Sequence, residues 1–113
     1  MSLVKMVSNT PGTVLWSVKV WDAVNAAYGL AGTGGIAMDA SNQVYSCMVI
    51  SNAASTNVQT LLMKFNANSG SLISSVDLKT LTAIDCNIIF YSASTRILLG
   101  IVHSTGTTEF LNF

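Results

Sequence analysis

Eight side chains of this 113-residue chain have the acid, base or nucleophile chemistry that catalysis or metal binding would draw on: Asp22, Asp39, Asp77, Asp85, Glu109, Cys47, Cys86 and His103. Their spacing argues against an active site. General acid–base work on a glycosidic bond needs two carboxyls held roughly 5 to 9 Å apart in a cleft. Only Asp77 and Asp85 are near each other in sequence, across a strand end and its loop. Asp39 opens the turn segment Asp39-Ala40-Ser41-Asn42, where a carboxylate accepts hydrogen bonds from its own following backbone. A hydroxyl or thiol nucleophile would have to lie beside His103, the one histidine, with an acid to orient it. No G-x-S-x-G elbow occurs, and His103 reads as an ordinary strand residue.

The cysteines are not arranged as C-x-x-C, and with one histidine they make no zinc set. Each reads as a small buried apolar residue, and a single Cys47–Cys86 bridge is the alternative. The run Gly29-Leu30-Ala31-Gly32-Thr33-Gly34-Gly35 has the look of a phosphate cradle. It lacks the G-K-[ST] ending and opens no long helix, so it is expected to be a flexible connection. No loop has the alternating acids of a calcium site. The expectation is therefore a chain with no catalytic residues, no metal and no cofactor.

Charge and composition narrow the partners. Five Lys and Arg balance five Asp and Glu, and only 9% of residues are charged, against roughly a quarter in an ordinary soluble domain. Ser, Thr and Asn, 34 residues together, must supply most of the polarity. One Arg and four scattered Lys cannot build a nucleic-acid groove or an anionic-membrane patch. No apolar stretch reaches the roughly 18 residues of a spanning helix, and the start has no long apolar region typical of a secretory signal. The chain is expected to be soluble, or matured or cut from something larger. The low charge leans towards an extracellular or cell-surface setting. Trp21 and Tyr28, beside the glycine-rich run, are candidates for an interaction surface of unknown ligand.

The elements that must position these residues are strands. Val14, Trp16, Val18 and Val20 alternate with Leu15, Ser17 and Lys19, and Leu72, Ser74, Val76 and Leu78 repeat the beat. Further strand patterns lie at 3–7, 35–39, 43–51, 58–66, 86–91, 97–104 and 107–113, separated by turn clusters at 9–12, 39–42, 52–57, 66–70, 92–95 and 104–106. Asp22 could cap one helical turn ending at Gly29, inside a long connection at 21–35.

The chain also repeats itself. Residues 3–20 align with 62–78, placing Lys5 on Lys64, Asn9 on Asn68 and Gly12 on Gly70; residues 35–51 align with 87–104. With four antiparallel strands per unit, the chain comprises a half unit (3–20), a complete unit (34–78) and a partial unit (86–113). A four-stranded unit of this length repeating in tandem is the period of a β-propeller blade.

The residues Leu3-Val4-Lys5-Met6 and Thr10-Pro11-Gly12-Thr13-Val14-Leu15-Trp16 resemble the tryptophan-docking blade motif of quinoprotein-like propellers. Asp39-Ala40-Ser41-Asn42-Gln43-Val44-Tyr45 resembles their D-x-x-G-N-x-Y turn without its Gly. The resemblance implies that Trp16 packs against the glycine turn of a neighbouring repeat, with Gly12 and Gly70 as the turn glycines, although Ser74 stands where the second Trp would be. Nothing matches the calcium ligands or catalytic Asp of the enzymes in that family.

The expected fold is therefore all-β, about two propeller-type blades, with a sandwich of about nine strands as the alternative. Closed propellers need four to eight blades. The chain is thus expected to act as a non-catalytic scaffold or binding module, either within a longer propeller chain or as a homo-oligomer. The alternative is a structural subunit of a surface ring or fibre.

Overall fold

The computed structural model describes residues 2–6, 12–20, 28–52, 54, 57–79, 82–91 and 96–113. These form an all-β structure: β1 (Ser2–Met6), β2 (Val14–Lys19), β3 (Tyr28–Met38), β4 (Gln43–Asn52), β5 (Val58–Asn66), β6 (Leu72–Lys79), β7 (Ala83–Tyr91), β8 (Arg96–His103) and β9 (Thr108–Asn112). Every pairing is antiparallel between strands adjacent in sequence. The strands divide into three sheets, β1-β2, β3-β4-β5-β6 and β7-β8-β9, rather than the two of a sandwich.

The second sheet lies between the other two. We call upstream the face of a sheet turned towards the start of the chain, and downstream the opposite one. The upstream face of the second sheet carries Met48, Ile50, Met63 and Phe65, which pack with Leu3, Trp16 and Val18 of the first. Its downstream face carries Cys47, Val49, Val58 and Leu62, which pack with Cys86, Ile88, Ile97, Leu99 and Ile101 of the third. Being covered on both sides explains why β4 reads Ser46-Cys47-Met48-Val49-Ile50 with no polar alternation: all five are buried. By contrast β2 faces a neighbour on one side only, and Trp16 and Val18 are half-buried between exposed Leu15, Ser17 and Lys19.

Two boundaries depart from the sequence reading. The second sheet begins at Tyr28 with β3, because the glycine-rich run is part of that strand and is not a loose connection. Its glycines let another backbone in. A Cβ on Gly32 would stand 2.6 Å from the Ile84 carbonyl oxygen, and one on Gly34 would stand 2.9 Å from Asn87 Cα. Adjacent sheets thus touch backbone to backbone at their first strands, β3 and β7, and register shifts in β3 accommodate the contact. The third sheet likewise starts earlier than expected, at Ala83. The helical turn expected after Asp22, together with Trp21 and Pro11, lies outside the described residues.

Candidate functional site

The best-built contact between sheets centres on Trp16. The turn from β5 to β6 runs Asn66-Ala67-Asn68-Ser69-Gly70-Ser71. Asn66 Oδ1 accepts from the amides of Asn68 (2.8 Å) and Ser69 (3.2 Å), and the Gly70 amide donates to the Asn66 carbonyl at 2.8 Å. Gly70 adopts φ +75°, a left-handed conformation that suits glycine. The indole of Trp16 lies directly on it: a Cβ on Gly70 would stand 2.7 Å from Trp16 Cε3. The same turn receives two donors from the first sheet. Trp16 Nε1 donates to the Ala67 carbonyl at 3.0 Å, and Lys5 Nζ donates to that oxygen at 2.8 Å. The Ala67 amide donates to Asn42 O at 3.1 Å, so both backbone groups of a buried residue are satisfied. Lys5 and Trp16 are cross-strand partners, which is why they reach one oxygen together.

Gly12, which aligns with Gly70, also has a left-handed φ of +93°, but nothing lies within 4 Å of where its Cβ would be. Of the two aligned glycines, Gly70 meets an indole and Gly12 meets no described residue.

Cys47 and Cys86 are joined in a disulfide, with Cα atoms 6.3 Å apart, linking β4 of the second sheet to β7 of the third. Both lie in the core between those sheets.

The titratable groups form two small networks. Asp39 Oδ1 accepts from the amides of Ser41 (2.8 Å) and Gln43 (3.0 Å), and Tyr45 donates its hydroxyl to Oδ2 at 3.0 Å. Partial burial raises the Asp39 pKa, but the hydrogen bonds from Gln43, Tyr45 and Ser41 and the nearby Lys64 charge outweigh it and hold the carboxyl below its ordinary value. Lys64 in turn sits 5.5 Å above the Tyr45 ring. In this turn the left-handed residue is Asn42, φ 57°, at the fourth position, where the D-x-x-G-N-x-Y pattern has its Gly, and asparagine is among the residues that adopt this conformation.

At the other end of the molecule, His103 Nδ1 shares a hydrogen bond with Thr82 Oγ1 (2.8 Å), and Nε2 with Glu109 Oε2 (3.2 Å). The order hydroxyl, imidazole, carboxylate matches a hydrolytic triad in composition only. Thr82 is exposed, and its carbonyl accepts from the Ser104 amide at 2.8 Å, so the network fastens the β8–β9 turn to the start of β7. Sequence spacing alone could not reveal it, because Thr82 is 21 residues from His103. Among the described residues no three of His, Cys, Asp and Glu stand close enough to hold a metal ion, and no helix is long and apolar enough to cross a membrane.

Apolar grooves also open among the described residues. A groove of about 430 Å³ between the first and second sheets is lined by Val4, Met6, Ile36 and Met38 at its open side. A second, about 230 Å³, lies on the downstream face of the third sheet and is lined by Leu98, Gly100, Val102 and Phe110. Of the proposed interaction pair, Tyr28 begins β3, its backbone in register with Asn52, and Trp21 is outside the described residues. Compared with protein-family models, with curated proteins and with solved structures, the chain shows no match.

Proposed function

We propose that the chain is a non-catalytic scaffold of propeller-type blades that acts through its loops and its sheet-to-sheet contacts. The observation that carries this reading is the seating of Trp16 on Gly70 with two side-chain donors on Ala67 O, a contact made between successive repeats. It matches the docking role that the resemblance to quinoprotein-like propellers implies for this residue. Two features support a blade arrangement. The sheets are antiparallel meanders in chain order, and the second and third approach most closely at their first strands, β3 and β7, as wedges around an axis would. The downstream apolar face of the third sheet favours a second, related role as a structural subunit that assembles with further units.

The docking contact is tested by Trp16→Ala. Loss of a half-buried indole and its hydrogen bond is expected to cost about 2 kcal/mol, below the roughly 3 to 5 of a fully buried one. Limited proteolysis should then release the β1–β2 hairpin first. A loss below about 0.5 kcal/mol, within the range of surface changes, would remove the basis of the reading. The non-catalytic half is tested on the same preparation by elemental analysis and absorbance. The scaffold is expected to carry neither a stoichiometric metal nor a visible chromophore, and finding either would move the reading to catalysis.

A further inference from the structure

The internal repeat identifies what the open face of the third sheet is shaped to receive. Strand register aligns Tyr45, Cys47 and Val49 of β4 with Leu98, Gly100 and Val102 of β8, and the cross-strand partner of Cys47, Leu62, with that of Gly100, Phe110. In the second sheet this downstream set is covered by the next sheet: Cys47 and Val49 are fully buried and Leu62 is 6% exposed. In the third sheet the equivalent set lines the 230 Å³ groove, and Phe110 is 64% exposed. Its ring rests across Gly100, where a Cβ would stand 3.3 Å from Phe110 Cε1, so the groove has a glycine floor and an aromatic wall.

The first sheet carries the opposite surface. Val4 aligns with Met63, which is 4% exposed beneath the first sheet, yet Val4 is 51% exposed, and Leu15, on β2 two residues from Val4's cross-strand partner Ser17, is 56% exposed. Among the described residues the third sheet thus carries an open apolar downstream face and the first sheet an open apolar upstream patch, and Val4 also lines the groove where Ile36 and Met38 leave part of the second sheet's upstream face open. The same kinds of face already meet twice inside the chain, and Leu98, Gly100, Val102, Phe110, Val4 and Leu15 are uncharged, while Lys19 shares the face of Leu15 and Ser17 on β2.

The geometry points to head-to-tail self-association, in which the downstream face of β7–β9 in one copy seats the upstream face of the β1–β2 hairpin of a second copy. This rests on the stacked-blade reading and extends it by naming the partner and both surfaces. The contact is heterologous, so it generates a ring where the rotation closes and a filament where it does not.

Analytical ultracentrifugation of the full chain tests it, with variants checked for folding by circular dichroism and by the mass of the disulfide-bonded form. The wild type is expected to exceed the 11.9 kDa of one chain increasingly with concentration. Phe110→Asp alone, and Val4→Glu with Leu15→Glu, should each stay at one chain. An equimolar mixture of the two variants should give a dimer and nothing larger, because each retains the face the other has lost. Phe110→Ser replaces Phe110→Asp if the latter fails to fold. A wild type that stays at one chain throughout, assembly that survives loss of Phe110, or a mixture of folded variants that does not pair would each overturn the proposal. None of those outcomes touches the Trp16→Ala melt, whose failure would instead overturn the stacked-blade reading.

Discussion

At the scale of single residues, several of the polar and charged side chains hold turns. Asp39 is the clearest case, with three donors on one carboxylate. Its pKa lies below the ordinary 3.8, so its contribution to stability is fully present above that value and disappears as pH falls through the lower, folded-state value. Asp39→Asn should therefore melt below the wild type at neutral pH, and the gap should narrow in melts taken progressively below about pH 4. Ser46 presents the opposite situation: its hydroxyl is buried in β4 with no hydrogen-bond partner among the described residues. Ser46→Ala removes that unsatisfied group for a small loss of volume, and a gain of about 1 kcal/mol in denaturant titrations is expected. Asp39 was legible as a turn residue because its bonds run to its own neighbours. The Thr82–His103–Glu109 chain was not, since it exists only once β7, β8 and β9 are paired.

At the scale of elements, hydrophobic alternation and turn clusters located the strands, which pair into sheets of two, four and three. Alternation and turns could not show that 28–34 is strand. Glycine contributes no alternation, and the reason for glycine here is the backbone of β7 pressed against Gly32 and Gly34. Nor could they choose between two buried cysteines and a bridge, because Cys47 and Cys86 both read as ordinary inward residues. The bridge closes a loop across 39 positions between two sheets. On chain-entropy grounds its removal, by reduction or by the paired Cys47→Ala and Cys86→Ala change, should cost about 3 to 4 kcal/mol. Hydrogen exchange should show β7 to β9 losing protection ahead of β4 and β5. Uniform loss of protection would say that the apolar core between the sheets, and not the bridge, keeps the third sheet in place.

At the scale of the whole molecule, a chain with 9% charge and half its residues apolar has little means of solvating large sheet faces. The middle strands of the second sheet, β4 and β5, meet that demand by being packed on both faces, while Ile36 and Met38 of β3 and Leu72, Ile73 and Val76 of β6 stay exposed. Composition indicated a surface suited to burial, but which faces remain open depends on the order of stacking. The account as a whole depends on the contact that ties the first sheet to the second across 51 residues of sequence, Trp16 on the Gly70 turn. A double-mutant cycle tests it most directly, by measuring unfolding free energies for wild type, Trp16→Ala, Gly70→Ala and the double variant. Alone, Gly70→Ala suffers both a left-handed backbone and a methyl driven into the indole; without the indole only the backbone penalty is left. The account predicts that the double variant loses less than the sum of the single losses, by about 1 kcal/mol or more. Strictly additive losses would mean that Trp16 and Gly70 do not meet, and would contradict it.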